Sequence, residues 1–152
     1  MTRKIKAFTF IELFIVIIII GIASAVAFPR LKNSFESFEL KNFARDIYFL
    51  SRYLQDSAIS QGKTYYLAIN TDNGQLQALT MENAQFKNIT GKFAKVHAAP
   101  RGIEVSLDPA ADQGVYFYPD ASTGKAAILF TNQKNDKLSL IFSGVSGGIQ
   151  VK

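Results

Sequence analysis

The chain has 152 residues, a formal net charge of +5, and 48% hydrophobic residues. That is enough for one domain plus an additional segment. It has no cysteine and one histidine, which excludes a disulfide framework and any thiolate or multi-histidine zinc site. The basic balance is local: Arg3, Lys4 and Lys6 are three of the 17 basic residues, and without them 14 face 12 acidic residues, a net charge of +2. Charge alone therefore gives no argument for a nucleic-acid partner.

Residues 1–7 form a short basic leader ending at Ala7. Phe8 to Phe28 follows, 21 residues with one charge, Glu12. As a helix that run spans roughly 30 Å, the hydrocarbon thickness of a bilayer. The basic flank is expected to stay cytoplasmic, with everything after Phe28 outside. A secretory signal peptide is the rival reading, since Ala23-Ser24-Ala25 and Ala25-Val26-Ala27 both fit its cleavage site. Against it, Glu12 lies early in the apolar stretch, and the helical pattern continues past Ala27. A plain single-span anchor is the other rival.

An ionised carboxylate at the centre of a membrane helix costs about 2.5–3.5 kcal/mol or more, so Glu12 calls for a partner. A cut between Ala7 and Phe8 creates one. The new α-amino group would stand four residues before Glu12, one helical turn away, in the same chain or a neighbour.

A second helical stretch runs from Leu31 to Gln61, so Phe8 to Gln61 reads as one long helix with Gly21 and Pro29 as its places to bend or melt. Phe43, Ile47, Leu50, Leu54 and Ala58 form an apolar stripe at helical period. Phe35, Phe38, Phe49 and Tyr53 are expected to broaden it into a core. Gly62 is the stop signal.

The remainder reads as antiparallel β-structure. Thr64 to Asn70 and Gln75 to Thr80 alternate about an Asp72-Asn73-Gly74 hairpin turn. Glu82 to Arg101 is expected to be irregular, with at most one short element. Further strands are expected over 103–107, 115–118, 127–131, 138–142 and 149–151, with turns at Asp108-Pro109, Pro119-Asp120 and Asn135-Asp136. The domain plan is a leader over 1–7, a transmembrane and assembly helix over 8–28, its amphipathic continuation over 29–62, and a β domain over 63–152.

Lys6-Ala7 followed by Phe8-Thr9-Phe10-Ile11-Glu12-Leu13 resembles the processing motif of type IV prepilins and pseudopilins. The resemblance implies a prepilin peptidase that cuts before Phe8 and methylates its new amino group, Glu12 as the fifth mature residue, and Pro29 after the membrane segment. Ala7 departs from the Gly usual before the cut. The implied fold is α+β and pilin-like: a long N-terminal helix, its first half transmembrane, packed on a small antiparallel sheet.

Within that class the chain is similar to the GspH/FimT-like family. The similarity rests on Ala58-Ile59-Ser60-Gln61-Gly62, the 64–70 strand, the Asn73-Gly74 turn, Phe117 to Gly124 with Ala121 in place of a usual glycine, and Ser146-Gly147-Gly148-Ile149 before the last strand. It implies a minor pseudopilin of type II secretion, held in a bacterial inner membrane by its lipid-embedded helix, with the β domain periplasmic or in the pseudopilus. Its partners would be other pilin or pseudopilin subunits and the peptidase/methyltransferase. The alternative is a minor pilin of a type IV or competence pilus that contacts DNA. The tail Gly147 to Lys152 carries one basic residue where the DNA binders resemble a Gly-Arg-x-Arg run, so DNA is not an expected partner. A monomeric anchored domain is a third reading, disfavoured by Glu12.

Catalytic chemistry is sparse. His97 is alone, and Gly62-Lys63-Thr64 and Gly124-Lys125 lack the first glycine of a phosphate loop. Asp108 and Asp112 fit no compact calcium loop. No enzyme activity, cofactor or metal is expected. Lys87, Lys92, Lys95 and Arg101 are the one local cluster of basic residues, read as a solvated loop.

Overall fold

A computed structural model describes residues 9–109 and 113–152, with the side chains of residues 26–34 left aside. Ala7, Phe8, Asp112 and the side chain of Pro29 therefore lie outside the described residues. Helix α1 (Phe10–Gln61) has 52 residues and helical backbone at both Gly21 and Pro29. The chain divides into two compact units between Glu36 and Ser37.

In the first unit the side chains of α1 from Phe10 to Ala25 are exposed. In the second, Leu40, Phe43, Ala44, Ile47, Leu50, Leu54 and Ala58 are buried at spacings of one turn. Phe35, Phe38 and Phe49 do not extend that stripe; all three are exposed, and Tyr53 is half-buried. At 3.6 residues per turn Phe38 and Phe49 stand about half a turn from Ile47, which turns them away from the core. Gly62 ends α1 at φ +63°, the left-handed conformation that glycine adopts at little cost.

The β-structure forms two antiparallel sheets where one was expected. The first holds β1 (Tyr65–Asn70), β2 (Gln75–Glu82), β3 (Gln85–Asn88), β4 (His97–Ala98) and β6 (Gly114–Phe117), in the order β3-β2-β1-β6 with β4 also on β2. The second holds β5 (Ile103–Asp108), β7 (Lys125–Asn132), β8 (Lys137–Ser143) and β9 (Ile149–Val151), in the order β5-β7-β8-β9. A 3₁₀ turn, Gly144–Ser146, joins β8 to β9. The stretch 82–101 carries two strands, β3 and β4, and so is more regular than its sequence indicates.

Strand alternation sets the core. Tyr65, Leu67 and Ile69 of β1, Ile103, Val105 and Leu107 of β5, and Ala126, Ile128 and Phe130 of β7 face inward. With the α1 stripe they make one apolar cluster. Phe43 meets Phe130 edge-on at 5.4 Å, and Phe117 meets Phe142 at 5.9 Å, which links the two sheets. Burying each such side chain contributes about 1.5–3 kcal/mol.

Candidate assembly surface

The first turn of α1 is capped from the sequence Thr9-Phe10-Ile11-Glu12. Thr9 Oγ1 accepts the backbone N–H of Glu12 at 3.3 Å, and Thr9 O accepts that of Leu13 at 3.2 Å. Thr9 is thus the N-cap and Glu12 the third helical residue, the arrangement of a capping box. A carboxylate there also faces the positive end of the helix dipole. Glu12 is thus a charge in an apolar run and also stands, by its Thr-x-x-Glu spacing, where a carboxylate can return to the Thr9 N–H.

Beyond Glu12 the helix presents only uncharged side chains as far as Ala25, and Phe10 is 84% exposed. Exposure of so many large apolar groups on one segment marks a surface that expects a partner or lipid. Among the described residues no helix is long and apolar enough to cross a membrane. The apolar stretch with described side chains runs from Phe10 to Ala25. Gly21 lies within it with open space around its Cα.

In the second unit, two loops are fastened to α1 by one side chain. Gln55 is buried, and its Nε2 donates to Ala121 O at 2.9 Å and to Gly147 O at 2.8 Å. Its Oε1 accepts from Arg52 Nη1 at 3.1 Å. Gly147 has φ +63°, and a Cβ there would run into the Ala121 carbonyl oxygen. Ala121, where the family resemblance places a glycine, has φ +70°. The Asp120 carboxylate accepts from Ser122 N and Oγ, which hold its pKa below the usual range and tighten the same turn. Gln55 escaped the sequence reading because it flanks the apolar stripe and looks like a surface amide.

The basic cluster is dispersed by its contacts. Lys87 pairs with Glu82 at 3.1 Å, and Glu82 also pairs with Lys63 at 2.6 Å. The two lysines lower the Glu82 pKa, mainly through their hydrogen bonds. Lys92 Nζ stands 5.8 Å from the centre of the Phe93 ring. Lys95 lines a groove of about 600 Å³ between α1 and residues 92–97, with Arg52 and Lys92 as well as Asp46 and Asp56 among its charged residues and Phe49, Tyr53 and Phe93 among its apolar ones. His97 borders that groove, half-buried, with its Nε2 buried and without a hydrogen-bond partner. Burial, then Lys95, lowers its pKa, and Asp46 opposes them. Among the described residues no three of His, Asp and Glu are placed to hold a metal ion.

No family profile matches the chain, and neither does any curated protein sequence. Solved structures do. The minor pseudopilin EpsH of the Type 2 Secretion System of Vibrio cholerae matches with TM-score 0.66 over 75% of this chain and 96% of its own, at 12% identity. The type IV minor pilin FimU of Pseudomonas aeruginosa matches with TM-score 0.59 over 77% and 90%, at 14% identity.

The chain has the pilin fold. Both neighbours are covered almost end to end, while about a quarter of this chain lies outside each match. The pilin fold also gives α1 its division of labour: residues from Leu40 onward carry the domain core, and those before Ala25 leave their apolar surface uncovered.

Proposed function

We propose that the chain is a minor subunit of a pilus or pseudopilus and acts by assembling through its N-terminal helix, without catalysis. The observation that carries this reading is a pilin fold whose first helical turn holds a carboxylate and whose next turns expose apolar side chains. The apolar run in the sequence, Phe8 to Phe28, has 21 residues and meets the length rule for a membrane span, so the subunit would wait in the inner membrane before joining a fibre. A prepilin peptidase would cut between Ala7 and Phe8 and methylate Phe8. The new amino group would pair with Glu12 of the same or an adjacent subunit. Gly21 and Pro29 would let the helix bend as neighbours pack.

Of the two fibre systems, type II secretion is favoured. The EpsH likeness has the higher TM-score, and of the lysines a DNA-contacting pilin would offer, Lys87 is paired with Glu82 and Lys92 lies against the Phe93 ring. The type IV or competence pilus is the second reading, supported by the FimU likeness. N-terminal sequencing and intact mass of the membrane-extracted protein test the processing. A chain beginning at methylated Phe8 is expected; one beginning at Phe28 would make the segment a signal peptide.

A further inference from the structure

The outer face of the first sheet, turned away from α1, carries a second feature. Beside the β1–β2 hairpin lies an open hollow of about 440 Å³. Its lining includes Tyr66, Ala68, Asn70, Asp72, Gln75 and Gln77. We propose that this hollow binds a neutral oligosaccharide.

The shape comes from strand alternation. Tyr65, Leu67 and Ile69 point into the core, which sends Tyr66, Ala68 and Asn70 outward. Ala68 is the small residue between two larger ones, so the surface dips there. The Tyr66 ring is laid across β6: a Cβ on Gly114 would stand 2.7 Å from it, and only glycine leaves that space. Tyr66 then continues into a row of rings, with Phe86 at 5.0 Å on one side, Tyr116 at 4.5 Å on the other, and Tyr118 stacked on Tyr116 at 6.1 Å. A bound chain that outgrows the hollow has an aromatic edge to follow.

The polar groups suit hydroxyls. Asn70 Oδ1 is taken by the N–H groups of Asp72 and Asn73, so its amide nitrogen remains to donate. Gln77 Nε2 donates to Asn88 Oδ1, so its Oε1 remains to accept. Gln75 is exposed and offers both. A sugar hydroxyl is donor and acceptor at once, and its ring C–H face is apolar like the Tyr66 ring. Sites for small molecules combine apolar and aromatic walls with a few placed polar groups in this way. The charge pattern selects among ligands. Among the described residues of the lining Asp72 is the only charged one, so a phosphate backbone or acidic sugar would meet no counter-charge from them.

The test is saturation-transfer NMR on the full chain in detergent with chitotriose and maltotriose, and a thymidine decamer as the polyanionic comparison. Ala68→Leu fills the floor, and the double variant Gln75→Ala, Gln77→Ala removes amides at half-exposed and exposed positions; each is checked by circular dichroism. A saturable signal from at least one trisaccharide is expected, weakened about ten-fold or more by either variant, the loss of about 1.4 kcal/mol of contact. No saturable signal from either sugar, or a signal indifferent to both variants, overturns the proposal. Decamer binding abolished by Ala68→Leu, without sugar binding, would reassign the hollow to single-stranded nucleic acid.

Discussion

Gln55 Nε2 lies 2.8 Å from the carbonyl oxygen of Gly147, 92 residues further along the chain, and donates its other hydrogen to Ala121 at 2.9 Å. One amide thereby joins the helix to the turn after β6 and to the turn before β9. The relationship is one of stability, because breaking it strands two carbonyls at a buried site.

Replacing Gln55 by leucine should therefore cost about 2–4 kcal/mol, the loss of two hydrogen bonds with their acceptors left unpaired. Gln55→Glu should be at least as damaging at neutral pH, since a carboxylate would face two carbonyl oxygens. Urea unfolding of both variants measures this. A loss below about 0.5 kcal/mol for Gln55→Leu would mean that water replaces the amide.

Ala121 and Ala84 occupy left-handed backbone, at φ +70° and +61°. A Cβ in that conformation costs about 1–2 kcal/mol. Ala121→Gly and Ala84→Gly should each stabilise the fold by about 0.5–1 kcal/mol after the entropy of the more flexible unfolded chain is counted. Gly147→Ala should do the reverse and more strongly, because its Cβ meets the Ala121 carbonyl. Thermal melts of the three variants rank them.

His97 makes stability depend on pH. Its pKa is lowered in the folded protein by burial first and by Lys95 second, with Asp46 opposing. A histidine with a depressed folded pKa binds fewer protons folded than unfolded, so its contribution is present above the ordinary value near ~6.5 and is lost as pH falls through the folded value. Urea midpoints should drop between pH 7 and pH 5, and His97→Leu should reduce that drop while leaving pH 7 stability equal or higher, since Nε2 has no partner to lose. An unchanged drop in the variant would assign the pH dependence to the carboxylates.

Much of this fold could be read from residue order, and the exceptions have physical causes. The 43–58 stripe, the Gly62 stop and the Asn73-Gly74 hairpin follow from local periodicity and backbone preference, and each stands where expected. The β2–β3 hairpin was hidden because its two-residue turn is Asn83-Ala84, both at positive φ, where the usual signal is Asn-Gly. β4 has two residues, too few to show a period. The split into two sheets depends on long-range pairing, β1 with β6, which alternation within a strand does not encode. At the candidate surface Glu12 was legible as a misplaced charge, whereas Gln55 was not, since only the tertiary fold brings Ala121 and Gly147 to it.

The full chain in detergent should bind duplex DNA no better than a neutral control at moderate salt. Nucleic-acid affinity rests on several Lys and Arg free to meet phosphates, and it weakens steeply with salt. Lys87 is paired with Glu82, Lys92 lies against the Phe93 ring, and Lys95 shares its groove with the carboxylates of Asp46 and Asp56. Micromolar binding lost on neutralising Lys87, Lys92, Lys95 and Arg101 together would favour the competence-pilus reading.

The central claim is that Glu12 recruits the subunit into a fibre by its charge. Its place in a capping box offers a competing role, and two substitutions separate them. Glu12→Gln keeps a side chain able to return to the Thr9 N–H, and so keeps the cap, but removes the charge. Glu12→Ala removes both. The measurement is co-purification of each variant with the other fibre subunits, expressed together, alongside N-terminal processing. Both variants should insert and be cut before Phe8, because losing a membrane-buried charge does not hinder insertion. Both should then fail to co-purify, since apolar contacts in lipid distinguish poorly between neighbours and tails. Normal co-purification and fibre output from Glu12→Gln, with failure confined to Glu12→Ala, would contradict the account and leave Glu12 as a helix cap.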